Sequence, residues 1–266
     1  MIAAAEHSVG HTCSRGLAAL AVLCAISGPA RATGLSDLEE GLPLEVRDAF
    51  AIGLYGSELQ LQGGYERTRK DENRYILFPR LELGIVPNGQ ILVGAPFFLG
   101  GADDAGSGNV TAEAFYNFNM EGLVVPAVAV AAEFEFPTGE DAEGVDSTYA
   151  LILTKTVIPA IFARVHANVF WHHNEKRQPG ERQEYWGIIG GYSMRLSTAW
   201  YLLADFIYDQ EGEKGREHYL AELGVRIQVT PYTVLGIGGG YGFNDDAIYA
   251  RGILSLQQSF GAPFVP

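Results

Sequence analysis

Charged side chains recur at every second position along stretches of the chain, and that spacing is the first pointer to chemistry. Glu58 holds one parity of 57–66, as Arg80 and Glu82 do in 75–84, and Glu113 holds the same place in 109–119. Glu133 and Glu135 follow in 124–136, then Arg164 and His166 in 160–171, Arg195 in 184–195, Asp205 in 200–209, Glu222 and Arg226 in 219–229, and Arg251 in 250–260. Successive side chains of a strand point to opposite faces, so each set shares one face of its strand. If the strands close on themselves with that face inward, these thirteen residues line a lumen. Most acids come from the first five segments and most arginines from the last six, which places them on opposite walls. Opposed charges across a narrow passage create a transverse field that selects polar solutes by their dipoles. Arg80, Asp205 and Glu222 break the segregation, and the plainer alternative is that the charges pair with one another and fill the interior.

Other arrangements offer less. Gly236, Gly238, Gly240 and Gly242 share a parity; facing inward, they leave room for opposing side chains or for solute, or else relieve local packing. They are not a dinucleotide loop, which needs a strand before it and a helix after it. His172-His173 point to opposite faces if they sit on a strand and have no third ligand at helpful spacing, so they read as a solvated loop and no metal is expected. A lipid hydrolase on such a scaffold needs a closely spaced His and Ser. Here His166 is followed two residues later by Asn168 and His218 by Leu220, and no GxSxG elbow is present beyond the leader. No cofactor is expected. The acidic groups Asp103-Asp104 and Glu140-Asp141, Glu143, Asp146 lack EF-hand spacing and read as solvated loops able to bridge lipopolysaccharide through divalent cations.

The elements that must position these residues are strands. The composition of 33 Gly, 14 Phe, 13 Tyr and 3 Trp with only 19% charged residues suits strands and turns better than helices. Alternation marks twelve segments: the nine already bounded, together with 90–98, 148–155 and 233–243, and Tyr219–Val229 shows it most cleanly, with Tyr219, Ala221, Leu223, Val225, Ile227 and Val229 opposite Glu222, Arg226 and Gln228. Most have the 9–11 residues that a tilted strand needs to cross a hydrocarbon layer. Spacers after odd-numbered segments are long and polar (67–73, 100–108, 138–146, 172–183, 210–217). Those after even-numbered ones are mostly short, as at Pro87-Asn88-Gly89 and Pro231-Tyr232. Long loops on one rim and tight turns on the other is the outer-membrane pattern. Aromatics at the segment ends, among them Tyr65, Tyr75, Trp171, Trp186, Trp200 and Phe243, suit interfacial girdles.

The longest apolar run, 124–132, has nine residues, far short of a membrane helix, so a membrane-spanning form must be a closed barrel. Arg15, the apolar run 17–26, Gly28-Pro29 and Ala30-Arg31-Ala32 read as a secretory signal cleaved after Ala32. Both cysteines, Cys13 and Cys24, would leave with it, which excludes disulfide and thiolate sites. Removing Arg15, Arg31 and Glu6 leaves 16 basic against 31 acidic residues, a balance that argues against nucleic acid as a partner.

The stretch 126–139 (PAVAVAAEFEFPTG), followed by an acidic Gly-containing loop and Asp146-Ser147-Thr148-Tyr149, resembles the outer-membrane transporters grouped as the MetA-pathway phenol-degradation family; 58–66 and 250–260 are similar to that family's ends. The resemblance implies a barrel that passes small organic, often aromatic, molecules, and it brings no catalytic residues. The extension 261–266 past Phe260 departs from the terminal Phe that ends many such barrels.

The expectation is therefore an all-β, transmembrane, antiparallel up-and-down barrel of about twelve strands. Its organisation is a leader at 1–32, a periplasmic segment or partial plug at 33–56, the barrel at 57–260 and an extension at 261–266. The expected partners are outer-membrane lipid, lipopolysaccharide and small hydrophobic or aromatic solutes. A lipid hydrolase and a structural or adhesive barrel with a plugged lumen are the alternatives.

Overall fold

The computed structural model describes residues 34–68, 73–99, 106–139, 143–176, 179–244 and 248–261. The expected leader at 1–32, the end of the chain beyond 261 and the acidic groups Asp103-Asp104 and Glu140-Asp141 lie outside the described residues. Fourteen strand segments form a single sheet: β1 (Gly56–Arg67), β2 (Asn73–Val86), β3 (Gly89–Gly94), β4 (Phe97–Leu99), β5 (Gly106–Ser107), β6 (Val110–Asn119), β7 (Ala127–Phe136), β8 (Asp146–Ile158), β9 (Ala163–His173), β10 (Glu184–Arg195), β11 (Trp200–Gln210), β12 (Glu217–Thr230), β13 (Thr233–Gly242) and β14 (Ala250–Gly261). β3 with β4 and β5 with β6 are each one strand interrupted, since β2 pairs with both β3 and β4, while β6 pairs with β3 and β5 with β4. Twelve staves result. Every pairing is antiparallel, and β1 seals against β14 from Gly56↔Gly261 to Arg67↔Ala250. The sheet has no free edge.

The two-residue period explains the radial sorting. Leu223 and Leu254 on the outward parity are 60% and 62% exposed, whereas Glu222, Arg226, Gln257 and Ser259 on the inward parity are buried. This inverts the usual polarity of a soluble sheet and is what a lipid-facing wall requires. Aromatic side chains ring both ends. Tyr65 stacks on Tyr75 with centroids 5.3 Å apart, and Trp186, Tyr208 and Tyr219 follow one another at 5.1 Å spacings near the long-loop rim. Tyr116, Trp200 and Tyr232 stand exposed near the opposite rim.

The short turns lie where the spacing puts them, helped by Asn88 and Phe162 in left-handed conformations. Four of the hairpins they close also carry a bulge at that rim, at Gly84/Val86, Asn117/Asn119, Thr156/Ile158 and Gln228/Thr230, which increases local twist. Several boundaries differ from expectation: the strand expected from Ala160 starts at Ala163, after a single 3-10 turn at Pro159–Ile161, the one expected over 148–155 runs Asp146–Ile158, and the one expected over 90–98 breaks between Gly94 and Phe97. The strand expected from Val124 starts at Ala127, and Leu123, Val124 and Val125 form an exposed turn closed by Gly122 N donating to Val125 O at 2.9 Å. Glu121 fixes this turn by accepting from Thr156 N at 2.7 Å and pairing with Lys155 at 3.5 Å. Apolar residues there mimic the start of a strand, and a two-residue period over three positions cannot tell the difference. At the other rim, β9 runs on through His172 and His173, which are strand residues rather than loop.

Candidate functional site

The wall's inward side chains hold a length of the protein's own backbone. The segment 34–55, directly before β1, folds into the barrel; Leu38, Leu42, Leu44, Val46 and Ala49 are essentially without solvent contact. It is a loop whose two limbs meet, with Leu38 N donating to Asp48 Oδ2 at 3.2 Å and Asp48 N to Leu38 O at 3.1 Å. Gly41, at φ +74, turns the apex, and Gly41 N donates to Leu44 O at 2.7 Å.

Beyond Tyr55 N, which donates to Gly84 O on β2 at 2.8 Å beside the start of β1, no strand pairs with this loop, so its buried amides must find other partners. Side chains of six strands supply them. Val46 N donates to Asp205 Oδ2 on β11 (2.9 Å), Arg47 N to Asn168 Oδ1 on β9 (2.8 Å), Ala49 N to Thr154 Oγ1 on β8 (3.0 Å) and Ile52 N to Gln90 Oε1 on β3 (2.6 Å). Asn168 Nδ2 donates back to Arg47 O, and Asn117 Nδ2 on β6 donates to Ala49 O at 2.5 Å. Glu45 N reaches Glu222 Oε2 on β12 at 3.4 Å.

Ion pairs join the same partners. Arg47 lies between Glu113, at 2.5 and 2.7 Å, and Glu39 at 2.9 Å, with its guanidinium 4.6 Å from the Phe115 ring centroid. Arg164 faces Asp48 at 3.5 Å between the rings of Phe50 and Phe162. Arg251 holds Glu45 at 2.7 Å and also Glu222. Arg80 donates to Glu40 O at 2.7 Å, and Arg226 to Asp37 O and Gln257. Burial pushes the Asp48 carboxyl up to about 8, reinforced by Asp37 and opposed by Arg164.

The glycine stripe has a concrete use. A Cβ on Gly238 would lie 2.8 Å from Leu44 Cδ2 and 2.9 Å from Pro43 O; one on Gly236 would lie 3.0 Å from Pro43 Cδ; one on Gly224 would meet both residues at 3.1 Å. The missing side chains of β12 and β13 therefore form the slot that seats the Pro43-Leu44 knob. Gly191 on β10 does the same for Val46.

Of the thirteen residues singled out in the sequence, nine are buried in the barrel interior: Glu58, Arg80, Glu82, Glu113, Arg164, His166, Asp205, Glu222 and Arg226. Glu58 and Glu82 share Gln60 Nε2, at 3.1 and 2.8 Å, and Glu58 also accepts from Gln257 at 2.9 Å. Glu133 and Glu135 stand higher, and Glu135 accepts from Asn109 at 2.8 Å. Arg251 faces inward with its two acids. Arg195 stands apart: it is exposed where β10 ends at the short-turn rim, its guanidinium 5.1 Å from the Phe162 ring. The acids and arginines of the two walls do not meet across open water, because the loop's own Arg47, Asp48 and Glu45 lie between them.

The barrel fold is shared with known structures. An outer membrane channel from Pseudomonas putida F1 superposes with a TM-score of 0.62 at 12% identity, covering 84% of this chain and all of that one. The NanC porin gives 0.56 at 11% identity over 76% of this chain and 98% of its own, and the KdgM porin 0.55 at 10% over 76% and 99%. It has the fold of an outer-membrane channel barrel. No protein-family model matches the chain, and no curated protein matches it in sequence.

Two features of the lumen escaped the sequence. Neutral polar residues on the inward parity (Asn117, Thr154, Asn168, Gln90) carry the loop, and only their parity marks them out. Beyond the loop apex, toward the long-loop rim, two cavities of about 290 and 330 Å³ share Glu40, Glu45, Arg47, Glu113, Glu133 and Arg251 as a common floor and so form one vestibule. His172 lines it, stacked at 17° between Phe170 (6.3 Å) and Tyr185 (4.6 Å) with Thr148 Oγ1 2.8 Å from Nδ1. His166 Nε2 lies 2.9 Å from Ser193 Oγ, the spacing of a nucleophile and its base. Yet Nδ1 faces Thr154 Oγ1 at 3.0 Å rather than a carboxylate, and Ser193 Oγ is shared with Tyr201 OH at 3.1 Å. Both residues are sealed beneath the loop, so this is a structural network with no access for substrate.

Proposed function

We propose that the protein is a channel of the outer membrane through which small organic molecules, aromatic ones included, diffuse passively, with 34–55 as a plug that must loosen for passage. The observation that carries this reading is how the plug is held. Short of Tyr55 it pairs with no strand and is fastened by individual side chains, so it can leave without unzipping any part of the barrel. The aromatic vestibule on one side, and the resemblance of 126–139 to the phenol-degradation transporters, support the aromatic solute class. The same reading takes 1–32 as an export signal, and lipid and lipopolysaccharide as the barrel's surroundings.

The test is planar-bilayer conductance and liposome uptake of phenol by the purified barrel, alongside a variant lacking 34–52. Channel function requires measurable passage in the full-length protein and a larger one in the variant. Passage in the variant alone identifies a permanently plugged, structural barrel. Folded barrels that pass nothing in either form would overturn the channel reading.

A further inference from the structure

The vestibule beyond the plug has a charge balance that the ion pairs do not cancel. Each of its two deep arginines is already clasped by two carboxylates, Arg47 by Glu39 and Glu113 and Arg251 by Glu45 and Glu222. Each arginine's charge is thus more than matched by its own acids, which leaves little attraction for an anion. Three acids on the lining of the roughly 290 Å³ cavity, Glu40 from the plug apex, Glu133 from β7 and Asp209 from β11, have no ion-pair partner among the described residues, and Asp209 Oδ1 has no hydrogen bond either. They come from three separate elements around one space.

The rest of that cavity is apolar. The flat surface of Phe170 and His172 backs it, and Ile189 and Ile207 close the side. Its volume falls at the small end of ligand pockets, room for a one-ring molecule. An aromatic face attracts the ring of such a molecule and also a cation, while carboxylates left unpaired in a partly dry space gain most from a positive charge.

From this we propose that the vestibule is a binding site for small organic cations, an ammonium group joined to a single aromatic or apolar body, and that it favours these over anions of the same size. The inference rests on the channel reading for its meaning, as the selectivity step before the plug, but the site itself is tested separately.

Three probes of one shape isolate the charge: phenethylamine, 2-phenylethanol and phenylacetate, titrated by calorimetry into the full-length barrel in detergent. The amine is expected to bind at least about tenfold more tightly than the alcohol, and the carboxylate more weakly than both. Glu133→Gln with Asp209→Asn is expected to bring the amine down to the level of the alcohol while leaving the alcohol unchanged, which shows that the cavity survives. Equal binding of the three probes, preference for phenylacetate, or an amine preference that persists in the double variant would overturn the proposal. Calorimetry needs no passage through the plug. Amine binding by barrels that conduct nothing sinks the channel and keeps the site, whereas conducting barrels indifferent to charge do the reverse.

Discussion

The two halves of the lumen are built from the same alternating strands yet do opposite things. Toward the short turns, the inward positions mix amides, hydroxyls and glycines with charges of both signs (Glu58, Glu82, Arg164, Arg226), and the space between them is filled by Leu38, Pro43, Leu44, Val46 and Ala49. Toward the long loops, the inward positions are carboxylates and aromatic rings, and the space stays open. A neutral amide can donate and accept, so it can satisfy a strand-like backbone that has no strand beside it; a carboxylate only accepts. A wall that mixes donors with acceptors can hold both the N–H and the C=O groups of a backbone, as Asn168 does for Arg47, whereas a wall richer in carboxylates is left with acceptors to spare.

The comparison breaks most completely if the plug goes. Removing 34–52 empties the short-turn half and is expected to turn rare, brief openings in planar bilayers into a permanently conducting state. Arg47→Ala should come next, because it strands Glu113 and Glu39 without their cation, and breaking a buried pair from one side costs about 3–5 kcal/mol. The plug of this variant should be cleaved by protease at 34–55 where the parent resists. Gly238→Leu tests the glycine slot: overpacking costs about 1–3 kcal/mol, enough to raise the open fraction by roughly 5–150-fold. Gly190→Ala, where an added Cβ meets nothing within 4 Å, should leave it unchanged. If the two glycines behave alike, the slot has no role in seating the knob.

The smallest effect expected is that of pH. The seated Asp48 titrates at about 8, above an ordinary carboxyl, so seating binds a proton and is favoured below pH 4. That advantage is lost as pH rises toward 8 and is constant above it. Opening frequency should therefore climb between pH 4 and 8 in the parent. In Asp48→Asn, which keeps an acceptor oxygen for only one of Leu38 N and Phe50 N, the climb should shrink to the part contributed by Glu40, which burial also pushes up to about 8.

The sequence made the barrel legible because lipid on one side and water on the other enforce a strict period over some ten residues per strand. The stave at Glu184–Arg195 follows residue for residue from its alternation, and Glu222, Arg226 and Arg164 face inward as their parity requires. The plug carried no such mark. Its hydrogen bonds to side chains of the wall run to residues 38 to 192 positions away, and 33–56 has no period of its own, so a plug and a tail read alike. The purpose of the glycine stripe was invisible for the same reason: an absent side chain says that something fits there, not what. His172 was read as loop because its polar neighbourhood gave no apolar partner parity, although it forms part of the vestibule wall.

The way 34–55 is anchored gives the release of the proposed plug a direction. Gly34 lies near Arg226 on the inner wall, and Gly56 begins β1 at the short-turn rim, so the segment hangs from the same end of the cylinder that it obstructs. Like a stopper on a cord fastened beneath the drain, it can fall out only downward. A push from the long-loop side drives it toward its tether, whereas a push from below wedges it further in.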